Sequence, residues 1–329
     1  MLNEISIEII RKCPNACIHC SSVSGEFCTE IVNIEKIVSI IDDAKDLGAK
    51  VICLSGGEPF LHPNIIDIVS YIHQKGLACY IYTSGITFDE NMNRSPLSQS
   101  VLNAIAGKVA KLIFNIEAST ESTYNKIMGT EGCFPLLQES VVRANNLSII
   151  MEAHFVPMKL NVNEIDSTVL LCERLGISKL SFLRLVLHGR ALDNEEIIML
   201  SDDELEVLKE RLEQLKSKSK LNIRLGVPLS DATDNQHACE AAKGKLNIKY
   251  DGYVFPCEVF KNDKVNLELN GYYPENINLN ALSDIYLNSG YLKYVRSFVQ
   301  EYSCGNNCEN CVGQYLIRCS VKGEAKNGK

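Results

Sequence analysis

The sequence lacks a long hydrophobic run, an export signal and a continuous basic face. No apolar segment approaches the length of a membrane span, and Met1-Leu2-Asn3-Glu4 has neither the basic nor the apolar region of a signal peptide. The formal net charge is −8, and no lysine and arginine surface is indicated that could follow a phosphate backbone. We therefore expect a cytoplasmic globular protein that binds neither membranes nor nucleic acids.

Cysteine, in contrast, is abundant, with 14 residues in a chain of 329. In a protein that is not exported, so many thiols indicate metal chemistry and core filling rather than disulfide bonds. Three cysteines lie near the start of the chain and six follow residue 238. Cys53 and Cys79 lie in apolar runs and Cys172 lies on the apolar side of a predicted helix, so we expect these three to be small buried core residues.

From residue 1 to about 190, short β-rich segments alternate with segments that have apolar residues at helical spacing. This alternation predicts parallel strands joined by helices. The predicted strands cover 4–10, 50–55, 78–83, 111–116, 149–156 and 178–185. Apolar helical faces begin at Ile34, Ile65 and Ile165, and the last two helices are expected to end at Gly76 and Gly176. Six units are two fewer than a closed eight-stranded barrel has, so the predicted fold class is α/β, a partial (β/α)6 barrel of parallel strands.

A helix and a loop-rich segment are predicted to separate this barrel from the C-terminal region. Leu205, Leu208, Leu212 and Leu215 form one apolar stripe, which is typical of a helix docked on one face. Residues 221–238 are rich in turn formers, and Asp251-Gly252 predicts a hairpin further on. We predict a partial barrel at 1–191, a connecting helix and linker at 192–232, and a small α+β domain at 233–329.

The segment directly after the first predicted strand carries the strongest chemical signal. Cys13, Cys17 and Cys20 form a Cys-x3-Cys-x2-Cys array there. Three thiolates on a four-iron cluster leave one iron without a protein ligand. A zinc site is the alternative, although zinc prefers four closed ligands, often as two Cys-x2-Cys pairs, and this segment contains one such pair.

This array resembles the hallmark of the radical SAM superfamily, whose members bind S-adenosylmethionine at the open iron of a [4Fe-4S] cluster. The resemblance implies that His19, beside the last cysteine, contacts the cofactor. Gly56-Gly57-Glu58-Pro59 resembles the family's Gly-Gly-Glu-Pro motif, which implies that Gly56, Gly57 and Glu58 hold the amino group of its methionine part. The chemistry agrees, since glycines let the main chain approach a ligand and a carboxylate pairs with an ammonium group.

Weaker matches follow at later predicted strand ends. Thr83-Ser84-Gly85 resembles a Thr-Asn-Gly turn and Asn115-Ile116-Glu117 resembles a Ser-Leu-Asp segment, which implies that Thr83, Asn115 and Glu117 contact the ribose and methionine parts.

Two further segments match less completely. Residues 124–129 resemble a His-Asp-x-x-Arg-Gly pattern with Met128 in place of the arginine, so Lys126 or Arg143 would have to pair with the cofactor carboxylate. Gly189-Arg190-Ala191 resembles the segment that closes this core in many members. An ordinary surface arginine is the alternative interpretation of Arg190.

The tail resembles the auxiliary cluster domain called SPASM, or Twitch in its shortened form. Its six cysteines are Cys239, Cys257, Cys304, Cys308, Cys311 and Cys319. Two four-iron clusters need about eight thiolates, so the one-cluster form is favoured. The resemblance implies Cys239, Cys257, Cys308 and Cys311 as ligands to one auxiliary [4Fe-4S] cluster, with Cys304 and Cys319 as alternates. A zinc ribbon is the competing interpretation.

The resemblance also implies the reaction. A reduced cluster would cleave S-adenosylmethionine to a 5′-deoxyadenosyl radical, which abstracts a hydrogen atom from the substrate, and no catalytic side chain beyond the cluster ligands is assigned. We expect the substrate to be a ribosomally made peptide and the electron donor to be a flavodoxin or ferredoxin. Because the chain opens almost directly into the first strand, a separate protein would bind a peptide leader. The alternatives are a dehydrogenase of a small alcohol or aminocyclitol and an iron–sulfur electron carrier.

Overall fold

The computed structural model describes residues 1–226, 239–261 and 268–303, together with Leu229, Cys311, Gly313 and Leu316. The strands are β1 (Glu4–Ile10), β2 (Val51–Gly56), β3 (Ala78–Thr83), β4 (Ile86–Phe88), β5 (Arg94–Pro96), β6 (Lys111–Asn115), β7 (Met151–Phe155), β8 (Lys179–Phe182), β9 (Asn222–Leu225), β10 (Lys245–Ile248) and β11 (Val254–Phe255). Nine of them form one sheet in the order β11-β10-β1-β2-β3-β6-β7-β8-β9, and β4 pairs with β5 separately. All neighbours in the large sheet are parallel except β10 and β11.

Helices connect successive parallel strands, as the α/β prediction requires. They are α1 (Ile34–Asp46), α2 (Ile65–Gln74), α3 (Gln99–Ile105), α4 (Glu121–Met128), α5 (Cys133–Asn146), α6 (Ile165–Arg174), α7 (Arg190–Asp193), α8 (Glu195–Ile198), α9 (Asp202–Lys218), α10 (Leu282–Asn288) and α11 (Gly290–Ser303). No helix among the described residues is long and apolar enough to cross a membrane.

The six predicted strands correspond to β1, β2, β3, β6, β7 and β8, each within three residues of the expected bounds. The predicted helices correspond to α1, α2, α6 and α9, because their apolar stripes face the core. In α9, Leu208 and Leu212 are buried, and a Ser201–Glu204 capping box starts the helix. The Asp251-Gly252 hairpin is also confirmed, since β10 and β11 are antiparallel.

The predictions did not include β4, β5 or β9, nor the parallel pairing of β10 with β1. β9 lies inside the segment that was expected to be loop, and its alternating Ile223 and Leu225 are buried where it pairs with β8. β10 lies beside β1 in parallel register, with Glu4 opposite Lys245. The parallel strand beside each of them provides the hydrogen bonds that place it in the sheet, and a pairing between distant segments is not visible in the local pattern. The residues that follow Cys239 therefore extend the barrel sheet next to the first strand.

The two faces of the sheet differ in polarity. Ile5, Ile7 and Ile9 of β1 are fully buried in the apolar core, whereas Ser6 and Glu8 lie on the other face, as the two-residue strand period requires. Cys79 and Cys172 belong to the apolar core, as predicted. Cys53 is buried as well, but it lies on the polar face, opposite Ser6 in the register and near the Tyr82 phenol.

Candidate active site

The three opening cysteines lie in a compact loop at the carboxyl end of β1. The Cys13 amide donates to the Gly25 carbonyl at 3.1 Å, and the Cys20 amide donates to the Cys17 carbonyl at 3.1 Å. Burial raises the pKa of the Cys13 and Cys17 thiols, and the neighbouring thiols raise it further, Cys17 acting on Cys13 and Cys20 on Cys17. Each of these thiols makes ionisation of its neighbour less favourable. A metal centre supplies positive charge that stabilises the thiolates.

The donor set of this loop therefore fits an iron–sulfur cluster. The described residues contain no ready-made group of three or more His, Cys, Asp or Glu ligands. The support for a cluster site is thus the chemistry and mutual influence of the three thiols rather than a preformed ligand geometry. Soft thiolate ligands of this kind favour iron–sulfur clusters or zinc over magnesium or calcium.

Gly56, the last residue of β2, and Gly57, which follows it, lie directly against the base of the cysteine loop. The Gly57 amide donates to the Ile10 carbonyl at 2.6 Å, and the Glu58 amide donates to the Lys12 carbonyl at 2.9 Å. A Cβ atom on Gly56 would lie 2.1 Å from the Ile10 carbonyl oxygen, and Gly56 also has a φ of +131°. The motif needs glycine because two backbone segments touch here.

Glu58 is completely buried and joins the end of β2 to the end of β3. Its carboxylate accepts hydrogen bonds from Thr83 Oγ1 at 2.7 Å, from the Ser84 amide at 2.8 Å, from Ser84 Oγ at 2.6 Å and from the Phe60 amide at 3.3 Å. Burial raises the pKa of Glu58 to about 7, although the hydrogen bonds from Ser84 and Thr83 oppose this rise. A carboxylate has about four acceptor positions, and all four are used.

Glu117, directly after β6, brings a second buried carboxylate to the cysteine loop. Its Oε2 accepts from the Val156 amide at 2.8 Å, whereas its Oε1 lies 3.5 Å from His19 Nε2 and has no hydrogen-bond partner among the described residues. Asn115, at the end of β6, is half-buried and opposite His154 in the register of β7. The structure thus brings the loops after β1, β2, β3 and β6 together at one edge, where parallel strands place their functional residues.

The end of α4 supports the cysteine loop. The Ala16 amide donates to the Met128 carbonyl at 3.0 Å, and Cys17 Sγ lies 3.7 Å from Met128 Sδ. Met128 therefore packs on a thiol at the position where the family pattern has an arginine. Of the two cations considered as substitutes, Lys126 is exposed on α4, and Arg143 donates to the Leu97 carbonyl at 2.8 Å and pairs with Glu139.

Arg190 holds the other side of the same loop. Its guanidinium donates to the Cys17 carbonyl at 2.8 Å and to the Ser24 carbonyl at 2.8 Å, and its amide donates to the Cys20 carbonyl at 3.0 Å. A Cβ atom on Gly189 would lie 2.6 Å from the Ser21 carbonyl oxygen. Arg190 is therefore not an ordinary surface arginine; it binds the backbone of the cysteine loop.

A buried ion pair near this loop was missed by sequence analysis. Lys261 contacts Glu8 of β1, and both residues are buried. Ser22 joins them, donating to Glu8 at 2.6 Å and accepting from Lys261 Nζ at 2.9 Å. Burial lowers the pKa of Lys261, but the Glu8 carboxylate outweighs this and raises it. The available signal was Glu8, an acidic residue between two isoleucines of β1, but its partner 253 positions away was not predictable.

Three of the predicted auxiliary ligands are described, namely Cys239, Cys257 and Cys311. Burial is the largest cause that raises the pKa of the Cys257 thiol. Glu258, Cys311 and Cys239 raise it further, in decreasing order of effect. The three thiols therefore share one electrostatic environment beside β11. Cys304, Cys308 and Cys319, also predicted as ligands or alternates, lie outside the described residues.

Comparison with known proteins adds independent support. The model of the radical SAM superfamily matches residues 7–172, and the SPASM model, an iron–sulfur cluster-binding domain, matches residues 239–312. PqqA peptide cyclase of Ruegeria pomeroyi is 25% identical over 258 residues, which are 76% of this chain and 66% of the cyclase. Fe-coproporphyrin III synthase of Methanosarcina barkeri is 26% identical over 256 residues, 76% of this chain and 60% of the synthase. The chain thus spans about two thirds of these relatives.

Among solved structures, Streptococcus suis SuiB bound to S-adenosylmethionine has a similar fold. The TM-score is 0.72 at 17% identity, and the match covers 91% of this chain and 68% of SuiB. This similarity shows a shared fold. This chain belongs to the radical SAM superfamily and carries a C-terminal SPASM domain, two domains that bind a [4Fe-4S] cluster with S-adenosylmethionine and auxiliary iron–sulfur clusters.

Proposed function

We propose that this chain is a radical SAM enzyme that modifies a ribosomally made peptide. The observation that carries the proposal is the loop of Cys13, Cys17 and Cys20, which Gly57, Glu58 and Arg190 bind at the carboxyl edge of the parallel sheet. The peptide substrate is supported by similarity to PqqA peptide cyclase and by the fold shared with SuiB, which has also been solved with its precursor peptide SuiA.

Cys13, Cys17 and Cys20 would hold the cluster that binds S-adenosylmethionine. When bound and reduced, this cluster supplies the electron that splits S-adenosylmethionine to methionine and a 5′-deoxyadenosyl radical, which takes a hydrogen atom from the substrate. The protein keeps the three thiols together by fixing the backbone between them. Preorganised ligands of this kind need less rearrangement when the cluster binds.

The remaining predicted cofactor contacts differ in whether their hydrogen-bonding atoms are already used within the protein. Because the Glu58 carboxylate is fully used by Thr83, Ser84 and Phe60, we propose that it orders the loop and leaves ligand contacts to the Gly56 and Gly57 backbone. Glu117 Oε1 is the acceptor that has capacity left, so it suits an ammonium or hydroxyl donor of the cofactor. His19 and Asn115 would line the same space.

We assign Cys239, Cys257, Cys308 and Cys311 to one auxiliary [4Fe-4S] cluster, with Cys304 and Cys319 as alternates. The shared environment of Cys239, Cys257 and Cys311 supports this assignment. Four thiolates leave no open iron, so the cluster would accept the electron that remains after hydrogen removal. A flavodoxin or ferredoxin would reduce the enzyme, and a separate protein could bind the peptide leader.

A small-molecule substrate is the second candidate. The observation that favours it is the 26% identity to Fe-coproporphyrin III synthase, which is close to the 25% identity to the peptide cyclase. Dehydrogenation of a small alcohol or aminocyclitol is another reaction on a small-molecule substrate. An iron–sulfur electron carrier is disfavoured, because a Gly-Gly-Glu-Pro cofactor loop has no role in a carrier.

Anaerobic reconstitution with iron and sulfide tests the proposal. We expect about eight irons per chain for two four-iron clusters and 5′-deoxyadenosine when a reductant and S-adenosylmethionine are added. Cys17→Ala should abolish this cleavage, whereas Cys257→Ala should keep cleavage without substrate and block turnover. Loss of two hydrogens from a peptide encoded beside this gene, measured by mass, would support the peptide substrate. Zinc in place of iron would overturn the proposal.

A further inference from the structure

Tyr124 lies on α4 with its hydroxyl group buried. The side chain is fully buried, and its ring packs against Phe134 with a centroid distance of 5.2 Å. The hydroxyl oxygen has no hydrogen-bond partner among the described residues. A buried donor without an acceptor destabilises the folded state, so a group of this kind points to a ligand that supplies the acceptor.

The position of Tyr124 on α4 places it beside the cysteine loop. Met128 lies one helical turn further on the same face of α4, and it contacts Cys17 through the two sulfur atoms at 3.7 Å. The loop is also bonded to this end of α4, since the Ile18 amide donates to the Ile127 carbonyl at 2.9 Å. The face of α4 that carries Tyr124 is therefore the face that packs on the predicted cluster ligands.

The charged and titratable groups around the hydroxyl support the same placement. Burial raises the pKa of Tyr124, and Cys17, Cys133, Glu117 and Cys13 raise it further, in that order. Two of these four groups are predicted ligands of the opening cluster. The hydroxyl keeps its proton in this environment and can act as a hydrogen-bond donor.

We propose that Tyr124 donates a hydrogen bond to the cluster held by Cys13, Cys17 and Cys20, at a cysteine Sγ or a bridging sulfide. This inference rests on the cluster site of the proposed function. Cluster sulfurs carry negative charge and accept hydrogen bonds. A hydrogen bond to them stabilises the more negative, reduced state and so raises the reduction potential. Tyr124 would thereby ease the reduction that starts the reaction and slow the loss of iron.

Tyr124→Phe removes the hydroxyl and keeps the ring. The matched control is Tyr71→Phe on α2, whose hydroxyl donates to Asp42 at 2.9 Å. Both variants are reconstituted anaerobically with iron and sulfide, and their reduction potentials and rates of iron loss to a chelator are measured. We expect Tyr124→Phe to lower the potential and to lose iron about fivefold faster. Tyr71→Phe should change neither quantity.

Thermal unfolding without the cluster gives an independent readout. In the protein without iron, Tyr124→Phe removes an unsatisfied hydroxyl, so its melting temperature should equal or exceed that of the wild type. The loaded variant should instead melt below the loaded wild type. An equal loss of stability with and without the cluster would show that the hydroxyl serves only the fold, which would overturn the inference.

The Cys17→Ala variant distinguishes an error in the cluster site from an error in the role of Tyr124. It does so because it identifies the iron and the redox signal that belong to the opening cluster. If Cys17→Ala retains that iron and signal, the cluster site itself is wrong. If Cys17→Ala loses them while Tyr124→Phe matches the wild type in potential and iron loss, the inference about Tyr124 alone is wrong.

Discussion

A Cβ atom on Gly57 would lie 2.1 Å from the Lys12 carbonyl oxygen and 2.5 Å from the Arg11 carbonyl oxygen. Both oxygens belong to the backbone that leads into Cys13, so a flexible side chain cannot move away to make room. A methyl group at this position must therefore displace either the loop after β2 or the cysteine loop. The glycine is needed for contact within the protein, before any ligand is considered.

We expect Gly57→Ala to destabilise the fold by about 1–3 kcal/mol, the usual cost of overpacking, and to reduce the iron bound after reconstitution. Gly25→Ala is the matched control, because a Cβ atom there meets nothing within 4 Å and Gly25 also lies beside the cysteine loop. Urea unfolding and iron analysis check both variants. Full iron binding and wild-type stability in Gly57→Ala would contradict the packing argument.

At the scale of secondary-structure elements, charged residues on three adjacent strands are paired across the polar face of the sheet. Glu152 of β7 lies 2.9 Å from Lys111 of β6 and 3.0 Å from Lys179 of β8. Burial raises the pKa of Glu152, but the two lysines outweigh burial and lower it below its usual value. The carboxylate therefore links charged side chains of three adjacent parallel strands.

A lowered pKa in the folded state gives this group a defined pH dependence. Its contribution to stability is fully present above the unfolded pKa of about 4.3 and is lost as pH falls through the folded pKa. We expect Glu152→Gln to lose about 1 kcal/mol at pH 7 and to differ less from the wild type at pH 3. Urea unfolding at both pH values measures this difference. A constant difference at the two pH values would contradict it.

Glu139→Gln is the control for that series. Glu139 pairs with Arg143 one turn along α5, and its side chain is 51% exposed. Exposed pairs at this spacing contribute about 0.3–0.5 kcal/mol, so its effect at pH 7 should be smaller than that of Glu152→Gln.

At the scale of the whole molecule, the C-terminal region is joined to the barrel by a strand and by a buried ion pair. β10 extends the sheet beside β1, and Lys261 contacts Glu8 of that same strand. Ser22 of the cysteine loop bonds to both side chains. The loop that would hold the first cluster is thus attached to the region that carries the auxiliary cysteines.

We expect Lys261→Met to destabilise the protein by about 3–5 kcal/mol, because it leaves the Glu8 carboxylate buried without its cation. The double variant Glu8→Gln with Lys261→Met should recover most of that loss, since neither remaining group is charged. Lys209→Met, which breaks an exposed pair with Glu206 on α9, should cost less than 1 kcal/mol. Denaturant unfolding of the wild type, Glu8→Gln, Lys261→Met and the double variant measures the coupling, and additive losses in the two single variants would exclude it.

The sequence predicted the parts of this protein that depend on neighbouring residues. The apolar periods predicted β1, β2, β3, β6, β7 and β8, because a buried strand or helix face must repeat at the spacing of its own backbone. The cysteine spacing likewise indicated the cluster loop. The sequence did not predict β9 or the parallel pairing of β10 with β1, because these ladders form between segments that are distant in the chain.

What only the tertiary structure decided is which distant groups hold that loop in place. Arg190 binds the Cys17 carbonyl across 173 positions, and Lys261 pairs with Glu8 across 253. Among the described residues the Tyr124 hydroxyl has no hydrogen-bond partner, and Cys17 and Cys13 of the loop are among the groups that raise its pKa. The spacing of apolar residues and cysteines is visible in the sequence itself. Contacts between distant residues form only when folding brings separated segments within hydrogen-bond distance.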